Sequence, residues 1–292
     1  MNVRVEIVNA FVDGDMGGNP AGVVLDADGL NHAQKLAVAR QVGLSETAFV
    51  SASEVATFKL DFYTPTRQIA HCGHATIAAF CRMRELGRIG DGVLSKETVD
   101  GLRDIIVRGD TTFMEQRAPT YACIDAESAL ERRLLQSLRV DRGALMVGLA
   151  PAVVNTGNSF LVVPIRDAQT LAQLQPDMGL VTGLSDELDL VGYYAYTVET
   201  QREARNAGTR MFAPRYGIDE ESATGMAAGP LACYLRDQAG APIEQFAIEQ
   251  GWFMQPASPS IVEVNLEIAG GAIQRLLAGG KARSLHTIDV RD

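Results

Sequence analysis

Three titratable side chains lie in segments where they could move a proton: Glu46, His74 and Glu221. Glu46 lies just before the apolar residues 48–50, separated from them by one residue, so we expect it at the mouth of a strand. Partial desolvation there favours a carboxylate that takes up and releases a proton. His74 could donate a hydrogen bond to a substrate oxygen or support that shuttle. Glu221 could bind a substrate amine or hold His74. Together these residue types predict general acid–base catalysis.

Each of the three residues also has a purely structural interpretation. Glu46 could be a surface glutamate at a helix end, and His74 could be an ordinary loop histidine. Glu221 ends the acidic run Asp219-Glu220-Glu221, which could simply complement the dipole of a following helix. The local sequence does not decide between these interpretations and the catalytic one.

The segments that carry this chemistry belong to a weak internal repeat. In the copies at 71–79 and 224–232, a glycine leads into small, helix-compatible residues, and an aromatic-x-Pro sequence precedes each copy. The offset between matched residues grows from 139 (18 to 157) to 152 (73 to 225), so the matches are collinear. The repeat predicts two homologous halves. The matches are Gly18-Asn19 with Gly157-Asn158, Gly43–Glu46 with Gly183–Asp186, Pro65 with Pro214, and Gly73 with Gly225.

The two glycine-led copies predict two helix N-termini. Free backbone N–H groups at such ends bind anions, so we expect the two copies to hold one small acidic molecule. The candidate substrate-binding residues in and near these segments are Asn19, Cys72, Gly73, Thr224, Gly225 and Met226.

Cofactor and metal sites are not predicted. His71, Cys72 and His74 are close in sequence, but compact zinc sites usually draw a second pair of ligands from elsewhere, and the other histidines form no such pair. There is no Gly-x-Gly-x-x-Gly after a strand, no P-loop and no Gly-x-Ser-x-Gly elbow. No lysine has a context that suggests a pyridoxal Schiff base. We therefore expect chemistry without a metal or a cofactor.

The composition restricts the partners and the compartment. The net charge is −10 and the basic residues are dispersed, which argues against a nucleic-acid or anionic-membrane partner. The chain has no apolar run near the roughly 18 residues that a membrane span needs, and its start does not resemble a signal peptide. Four scattered cysteines are too few for a disulfide scaffold. We expect a cytoplasmic protein.

The periodicity predicts an α+β fold in which strands outnumber helices. The Ala-rich helical patterns at 75–86 and 227–237 have little polar surface, which is typical of a buried helix inside a curled sheet. A linker within 116–127 predicts one domain at 1–120 and a second at 121–292. The last segment, at 282–290, could return to the first domain as a closing strand.

Several motifs in combination resemble the phenazine-biosynthesis isomerase family (PhzF-like), which is related in fold to diaminopimelate epimerase. The resemblance covers nearly the whole chain. It rests on Asn9-Ala10-Phe11, Gly18–Ala21, Leu44–Val50, Thr64-Pro65, Cys72–Thr76, Arg210–Pro214 and Ala223–Leu231.

This resemblance implies two pseudo-symmetric domains, each a curled mixed β-sheet around a central α-helix, with the active site in the cleft between them. It also implies a homodimer and cofactor-free proton transfer. Glu46 would be the catalytic glutamate and His74 its partner, while backbone groups at Gly73 and Gly225 would bind the substrate carboxylate or a developing oxyanion.

Two residues depart from the family pattern. Members that make phenazines resemble Asp-x-x-Thr-Gly-Ser in the second motif, whereas this chain has Glu221 in the first position and Met226 in the last. Glutamate reaches about one methylene further into the site, and methionine replaces a hydroxyl with an apolar group. These departures put the substrate in doubt more than the reaction type, and a hydroxylated dihydroanthranilate, the phenazine precursor, is not favoured.

Two further hypotheses stay open. Epimerisation at a single carbon would need a second acid–base group, and Cys72 with Glu46 is the plausible pair. A racemase with two thiols is disfavoured because Cys72 matches Thr224 in the repeat. A catalytically silent member that only binds a metabolite is the third hypothesis.

Overall fold

A computed structural model of the chain describes residues 2–291 and divides them into two compact units. Unit 1 comprises residues 2–115 and 279–291, and unit 2 comprises residues 116–278. Both units are dominated by strands with few helices, which confirms the predicted α+β class. No helix among the described residues is long and apolar enough to cross a membrane.

Unit 1 contains two helices and most of the strands that surround the second of them. The helices are α1 (His32–Val42) and α2 (Gly73–Glu85). The strands are β1 (Asn2–Ala10), β2 (Asn19–Val24), β3 (Thr47–Ser51), β4 (Phe58–Tyr63), β5 (Gln68–Ile69), β6 (Gly92–Thr98), β7 (Gly101–Arg108), most of β8 (Thr111–Arg117) and the second part of β17 (Ala272–Arg291).

The strands of unit 1 form a mixed sheet that closes on itself. β17 pairs with β1, and the neighbours then follow as β2, β3, β4, β6, β7 and β8, after which β8 pairs again with β17. The β2–β3 and β4–β6 pairs are parallel and the others with a defined register are antiparallel. A closed sheet leaves an interior that side chains or a helix must fill.

Helix α2 is the buried helix of this unit. Ten of its thirteen residues are buried, and it packs against β1, β2 and β3. A helix that is buried on all sides cannot carry the polar stripe of a surface helix, which explains its run of Ala, Ile and Phe residues. The predicted arrangement of a curled sheet around a central helix is confirmed for this unit.

Unit 2 has its own set of elements. The helices are α3 (Ala129–Leu138), α4 (Ala168–Ala172), α5 (Met178–Glu187) and α6 (Gly225–Asp237). The strands are β9 (Thr120–Cys123), β10 (Ala152–Asn155), β11 (Ser159–Pro164), β12 (Gly192–Thr197), β13 (Ala207–Ala213), β14 (Ile218–Glu221), β15 (Gln245–Gln250), β16 (Ser260–Ala269) and the first part of β17.

The two units repeat the same strand order and the same pairing directions, which confirms the predicted pseudo-symmetry. The antiparallel pair β10–β11 corresponds to β1–β2, and the parallel pair β11–β12 corresponds to β2–β3. The parallel pair β13–β15 likewise corresponds to β4–β6. Helix α6 takes the place of α2, and ten of its thirteen residues are buried too.

Strand register aligns the two units residue by residue. Thr47 pairs with Tyr63 in unit 1, and Tyr193 pairs with Phe212 in unit 2, where each aromatic partner lies two residues before a proline. Thr47 therefore corresponds to Tyr193, and Glu46 corresponds to Gly192. The predicted match of Gly43–Glu46 with Gly183–Asp186 is wrong, because the latter segment lies inside α5 rather than in the loop before the strand.

Candidate active site

Glu46 and His74 come together in unit 1. Gly43 ends α1 in a left-handed conformation (φ 70°), and the loop that follows delivers Glu46 to the start of β3. Nε2 of His74, in the first turn of α2, lies 3.3 Å from Oε2 of Glu46. Only 5% of the His74 side chain and 12% of the Glu46 side chain are exposed. A carboxylate and an imidazole in contact at a nearly buried position can share and transfer a proton.

Cys72 joins this pair from the other edge of the imidazole. Its Sγ lies 3.6 Å from Nδ1 of His74, and the ligand atoms of Glu46, Cys72 and His74 all lie within 4.8 Å of one another. The histidine ring therefore faces the carboxylate with one nitrogen and the thiol with the other. We call these three side chains the acid–base cluster.

The donor set of the acid–base cluster is of a kind that binds zinc, but its geometry does not suit one ion well. A single ion would need one ring nitrogen to converge with both the sulfur and the carboxylate oxygen at about 2.0–2.3 Å. Here the sulfur faces Nδ1 while the carboxylate faces Nε2. The arrangement fits proton transfer through the imidazole better than the coordination of one metal ion.

Gly73 and Gly225 are the first residues of α2 and α6, the two helices that the repeat predicts. In both helices the residue at the N-cap position, Cys72 or Thr224, has an extended or irregular backbone, and its side chain does not cap the first turn. Backbone N–H groups in the first turn of a helix lack intrahelical acceptors and attract negative charge. Each unit thus has a helix end of the type that binds carboxylates.

Unit 2 brings Glu221 together with Thr224. The hydroxyl of Thr224 donates to the carboxylate of Glu221. The amide of Gln250, in β15, accepts from the backbone N–H of Thr224 at 3.1 Å and from the hydroxyl of Tyr194 at 2.9 Å. The same amide donates to the Glu221 carbonyl at 2.6 Å and to the Thr224 hydroxyl at 3.1 Å. This network fixes the entrance to α6.

Met226 and Gly225 have neighbours of their own in unit 2. Nδ2 of Asn158 lies 3.5 Å from the Met226 sulfur. The side-chain amide of Gln116 donates to the Gly225 carbonyl at 2.9 Å and accepts from the Thr156 hydroxyl at 2.7 Å. These contacts hold the first turn of α6 in place. Met226 thus places an apolar thioether at the position in α6 that corresponds to His74 in α2.

Asn19 is the first residue of β2 in unit 1, paired in register with Ala10 of β1. It is 5% exposed. Its strand also contacts the loop that carries Glu46, because the backbone N–H of Gly22 donates to the Glu46 carbonyl at 3.1 Å.

Within residues 2–291, unit 2 has no second copy of the acid–base cluster. Strand register aligns Glu46 with Gly192. The matching starts of α2 and α6 align Cys72 with Thr224 and His74 with Met226. None of the three residues in unit 2 exchanges a proton readily near pH 7. A Cβ atom added to Gly192 would lie 2.3 Å from the Phe212 carbonyl oxygen, so this position has no space for any side chain. The positions in unit 2 that correspond to Glu46, Cys72 and His74 therefore carry no acid–base group.

The sequence did not predict a role for two polar residues near these segments. Gln250 lies at the end of β15, and Lys96 lies in β6 with no exposed surface. Burial lowers the pKa of Lys96 to about 7, and burial lowers the pKa of His71 to about 3. The sequence offered no signal for either residue, because a polar residue in a strand looks the same whether it faces solvent or the interior.

Similarity to known proteins shows the family and the fold of this chain. Residues 8–286 match the family described as phenazine biosynthesis-like protein (PhzC-PhzF). An uncharacterized isomerase from Clostridium acetobutylicum is 33% identical over 242 residues, covering 78% of this chain and 77% of that protein. The crystal structure of a PhzF-family phenazine biosynthesis protein from Bacillus anthracis is similar over 100% of both chains, with a TM-score of 0.87 and 27% identity. A Pseudomonas aeruginosa protein described as a predicted epimerase shares the fold, with a TM-score of 0.77 over 99% of both chains at 23% identity.

Proposed function

The chain is an isomerase of the phenazine biosynthesis-like (PhzC-PhzF) family, and from this premise we propose that it moves a carbon-bound proton on a small carboxylated metabolite. Glu46 takes the proton from one carbon and returns it to another. The observation that carries this proposal is the contact between Glu46 Oε2 and His74 Nε2, at 3.3 Å, in a nearly buried position. No cofactor is required for such a transfer.

Each predicted residue has a part in this proposal. His74 donates to or accepts from Glu46, and so keeps its carboxylate oriented while the proton is in transit. The first-turn N–H groups beginning at Gly73 stabilise negative charge that develops on the substrate, which is often the largest single catalytic contribution. Asn19 is a further candidate for substrate binding in unit 1. In unit 2, Glu221, Thr224, Met226 and the helix end at Gly225 form a separate group of candidate substrate-binding residues.

The single copy of the acid–base cluster supports isomerisation over epimerisation. Inversion at one carbon needs two groups on opposite faces, each about 3–3.5 Å from that carbon, and hence about 6–7 Å apart. The polar atoms of Glu46, Cys72 and His74 all lie within 4.8 Å of one another. Groups this close can reach a substrate carbon from one face only. This suits a single base that removes a proton and returns it on the same face.

The experiment that tests the proposal is deuterium uptake. The wild-type protein and the Glu46→Gln variant are each incubated with a small-metabolite extract in heavy water, and the masses of the metabolites are compared. We expect one carboxylated metabolite to gain carbon-bound deuterium with the wild type only. Glu54→Gln is the matched control, because it removes an exposed carboxylate from the same unit and should exchange like the wild type.

Two results would count against this proposal. Uptake by Glu46→Gln within a fewfold of the wild type would remove Glu46 from the mechanism. A metabolite that stabilises the wild-type fold against heat but never exchanges a carbon-bound proton would favour the silent binding protein instead.

A further inference from the structure

Lys96 is the least expected residue of unit 1, because it is a lysine with 0% exposed surface. Its Nζ donates to the Thr76 hydroxyl at 2.6 Å and lies 3.2 Å from Nδ1 of His71. The ammonium also lies 5.1 Å from the centroid of the Phe62 ring. Within residues 2–291, its hydrogen-bond partners include no carboxylate. Burying an ammonium beside a hydroxyl, an imidazole and an aromatic ring is costly, so a lysine here requires an explanation.

Unit 2 shows that the fold itself does not need this lysine. In unit 1 the parallel β4–β6 pair joins Phe58 to Lys96, and in unit 2 the parallel β13–β15 pair joins Ala207 to Ile248. The alignment of the two units makes Ile248 the counterpart of Lys96. The next residue along each strand is a glutamate, Glu97 or Glu249.

The glutamates at these neighbouring positions support the alignment. Glu97 accepts from the hydroxyl of Ser53 at 2.6 Å, in the loop before β4. Glu249 accepts from the backbone N–H groups of Gln201 and Arg202, in the loop before β13. The two carboxylates therefore hold the corresponding loop in each unit.

The hydrogen-bond partner of Lys96, Thr76, is also replaced by an apolar residue in unit 2. Thr76 lies four residues after Cys72, and its counterpart four residues after Thr224 is Ala228. Ile248 and Ala228 are both 0% exposed. The repeated fold therefore fills this position with an apolar pair in unit 2 and with a hydrogen-bonded Lys–Thr pair in unit 1.

The Lys–Thr pair leads directly to the acid–base cluster. The Thr76 hydroxyl accepts from Lys96 and donates to the Cys72 carbonyl at 2.6 Å. On the other side, Lys96 reaches His71, the residue before Cys72. Lys96 thus holds the short segment from both sides, and this segment aims the Cys72 thiol and the His74 ring.

We propose that Lys96 is a positioning residue that holds His74 against Glu46 by fixing the turn between His71 and Thr76. The catalytic part of this inference rests on the proposed function, but the geometric part does not. A displacement of about 1 Å at a catalytic group can cost about a hundredfold in rate. A turn that is hydrogen-bonded from both sides resists such a displacement of His74. The unit without an acid–base cluster has Ile248 and Ala228 in place of this Lys–Thr pair.

The test replaces the polar pair with the pair that unit 2 uses, in the double variant Lys96→Ile with Thr76→Ala. Because the same fold accommodates Ile248 and Ala228, we expect the variant to fold. We expect kcat for deuterium uptake to fall at least tenfold, with KM changed by less than threefold. Ile248→Val, which trims the counterpart position, is the matched control and should keep the wild-type kcat.

A spectroscopic measurement accompanies the kinetics. In protein labelled with ¹⁵N-histidine, the ring nitrogens of His74 report on its hydrogen bonds, and we expect them to shift in the double variant but not in Ile248→Val. The single variant Lys96→Met provides a second test should the double variant fail to fold, because it preserves side-chain length and leaves the Thr76 hydroxyl in place.

The results separate the two proposals. Unchanged kcat and unchanged His74 resonances in folded variants would overturn the positioning role of Lys96 while the proposed function stands. If the wild type exchanges no substrate proton but the His74 resonances still shift, the proposed function fails and the positioning role is supported. A lower kcat with unshifted His74 resonances would overturn the role as stated.

Discussion

The thiol of Cys72 lies 3.6 Å from Nδ1 of His74, on the ring edge opposite the nitrogen that faces Glu46. One imidazole thus joins two groups that can each exchange a proton. The same position in unit 2 holds Met226, whose thioether can neither donate nor accept a proton near pH 7. Whether this isomerase shifts a proton between two carbons or inverts a single carbon therefore depends on whether the thiol takes part in the reaction.

Replacing Cys72 with alanine decides between these two reactions. Under the proposed isomerisation, Glu46 alone transfers the proton, so Cys72→Ala should keep deuterium uptake within about tenfold of the wild type, which is less than the roughly 10²-fold to 10⁴-fold loss expected when a general acid–base group is removed. Epimerisation through Cys72 and Glu46 predicts that uptake is lost. Cys123→Ala, at an exposed cysteine of unit 2, controls for the loss of a thiol.

Glu221 should contribute to substrate binding rather than to the proton transfer itself. Glu221→Gln keeps an acceptor for the Thr224 hydroxyl but removes the negative charge. We expect KM to rise about tenfold, or about 1.4 kcal/mol, with kcat within a fewfold of the wild type. Kinetics of deuterium uptake measure both constants. A large loss of kcat at unchanged KM would instead place Glu221 in the chemical step.

Gly192 should tolerate no side chain, so unit 2 cannot acquire a counterpart of Glu46. The added methyl group in Gly192→Ala would meet the backbone carbonyl oxygen of Phe212 at 2.3 Å. Overpacking of this kind should lower the free energy of unfolding by about 1–3 kcal/mol in urea denaturation. Gly183→Ala is the control. Gly183 lies in α5 with nothing within 4 Å of an added Cβ, so alanine there should be neutral or stabilising by up to about 1 kcal/mol. Equal effects of the two changes would contradict the prediction.

The buried Lys96 should make the stability of the fold depend on pH. Burial lowers its pKa to about 7, whereas a lysine in the unfolded chain has a pKa of about 10.4. Between these values the unfolded state binds more protons, so this group makes the fold more stable as the pH rises, by up to about 1.4 kcal/mol per pH unit.

The variant Lys96→Met removes this pH dependence. We expect it to be more stable than the wild type at pH 7, with an advantage that shrinks as the pH approaches 10. Urea denaturation of both proteins across this range measures the difference. A difference that does not change with pH would mean that Lys96 keeps an ordinary pKa in the folded protein.

The sequence predicted those parts of the site that depend on short segments. The glycines at 73 and 225 and the small residues that follow them indicated two buried helices, and the structure begins α2 and α6 at these glycines. The repeat indicated two similar halves. The match of Gly43 with Gly183 failed because collinear spacing cannot distinguish the loop after a helix from the helix interior, and only strand register decides this.

What the sequence by itself determined was the α+β class, the duplicated order of elements and the residue types available for proton transfer, because periodicity and glycine-led turns are set by neighbouring residues. Only the tertiary structure decided that Glu46 meets His74, that Gly192 leaves the second unit without a matching base, and that Lys96 is buried. These relationships join residues that are distant in the chain. They follow from strand pairing and from the packing of α2, which no local pattern encodes.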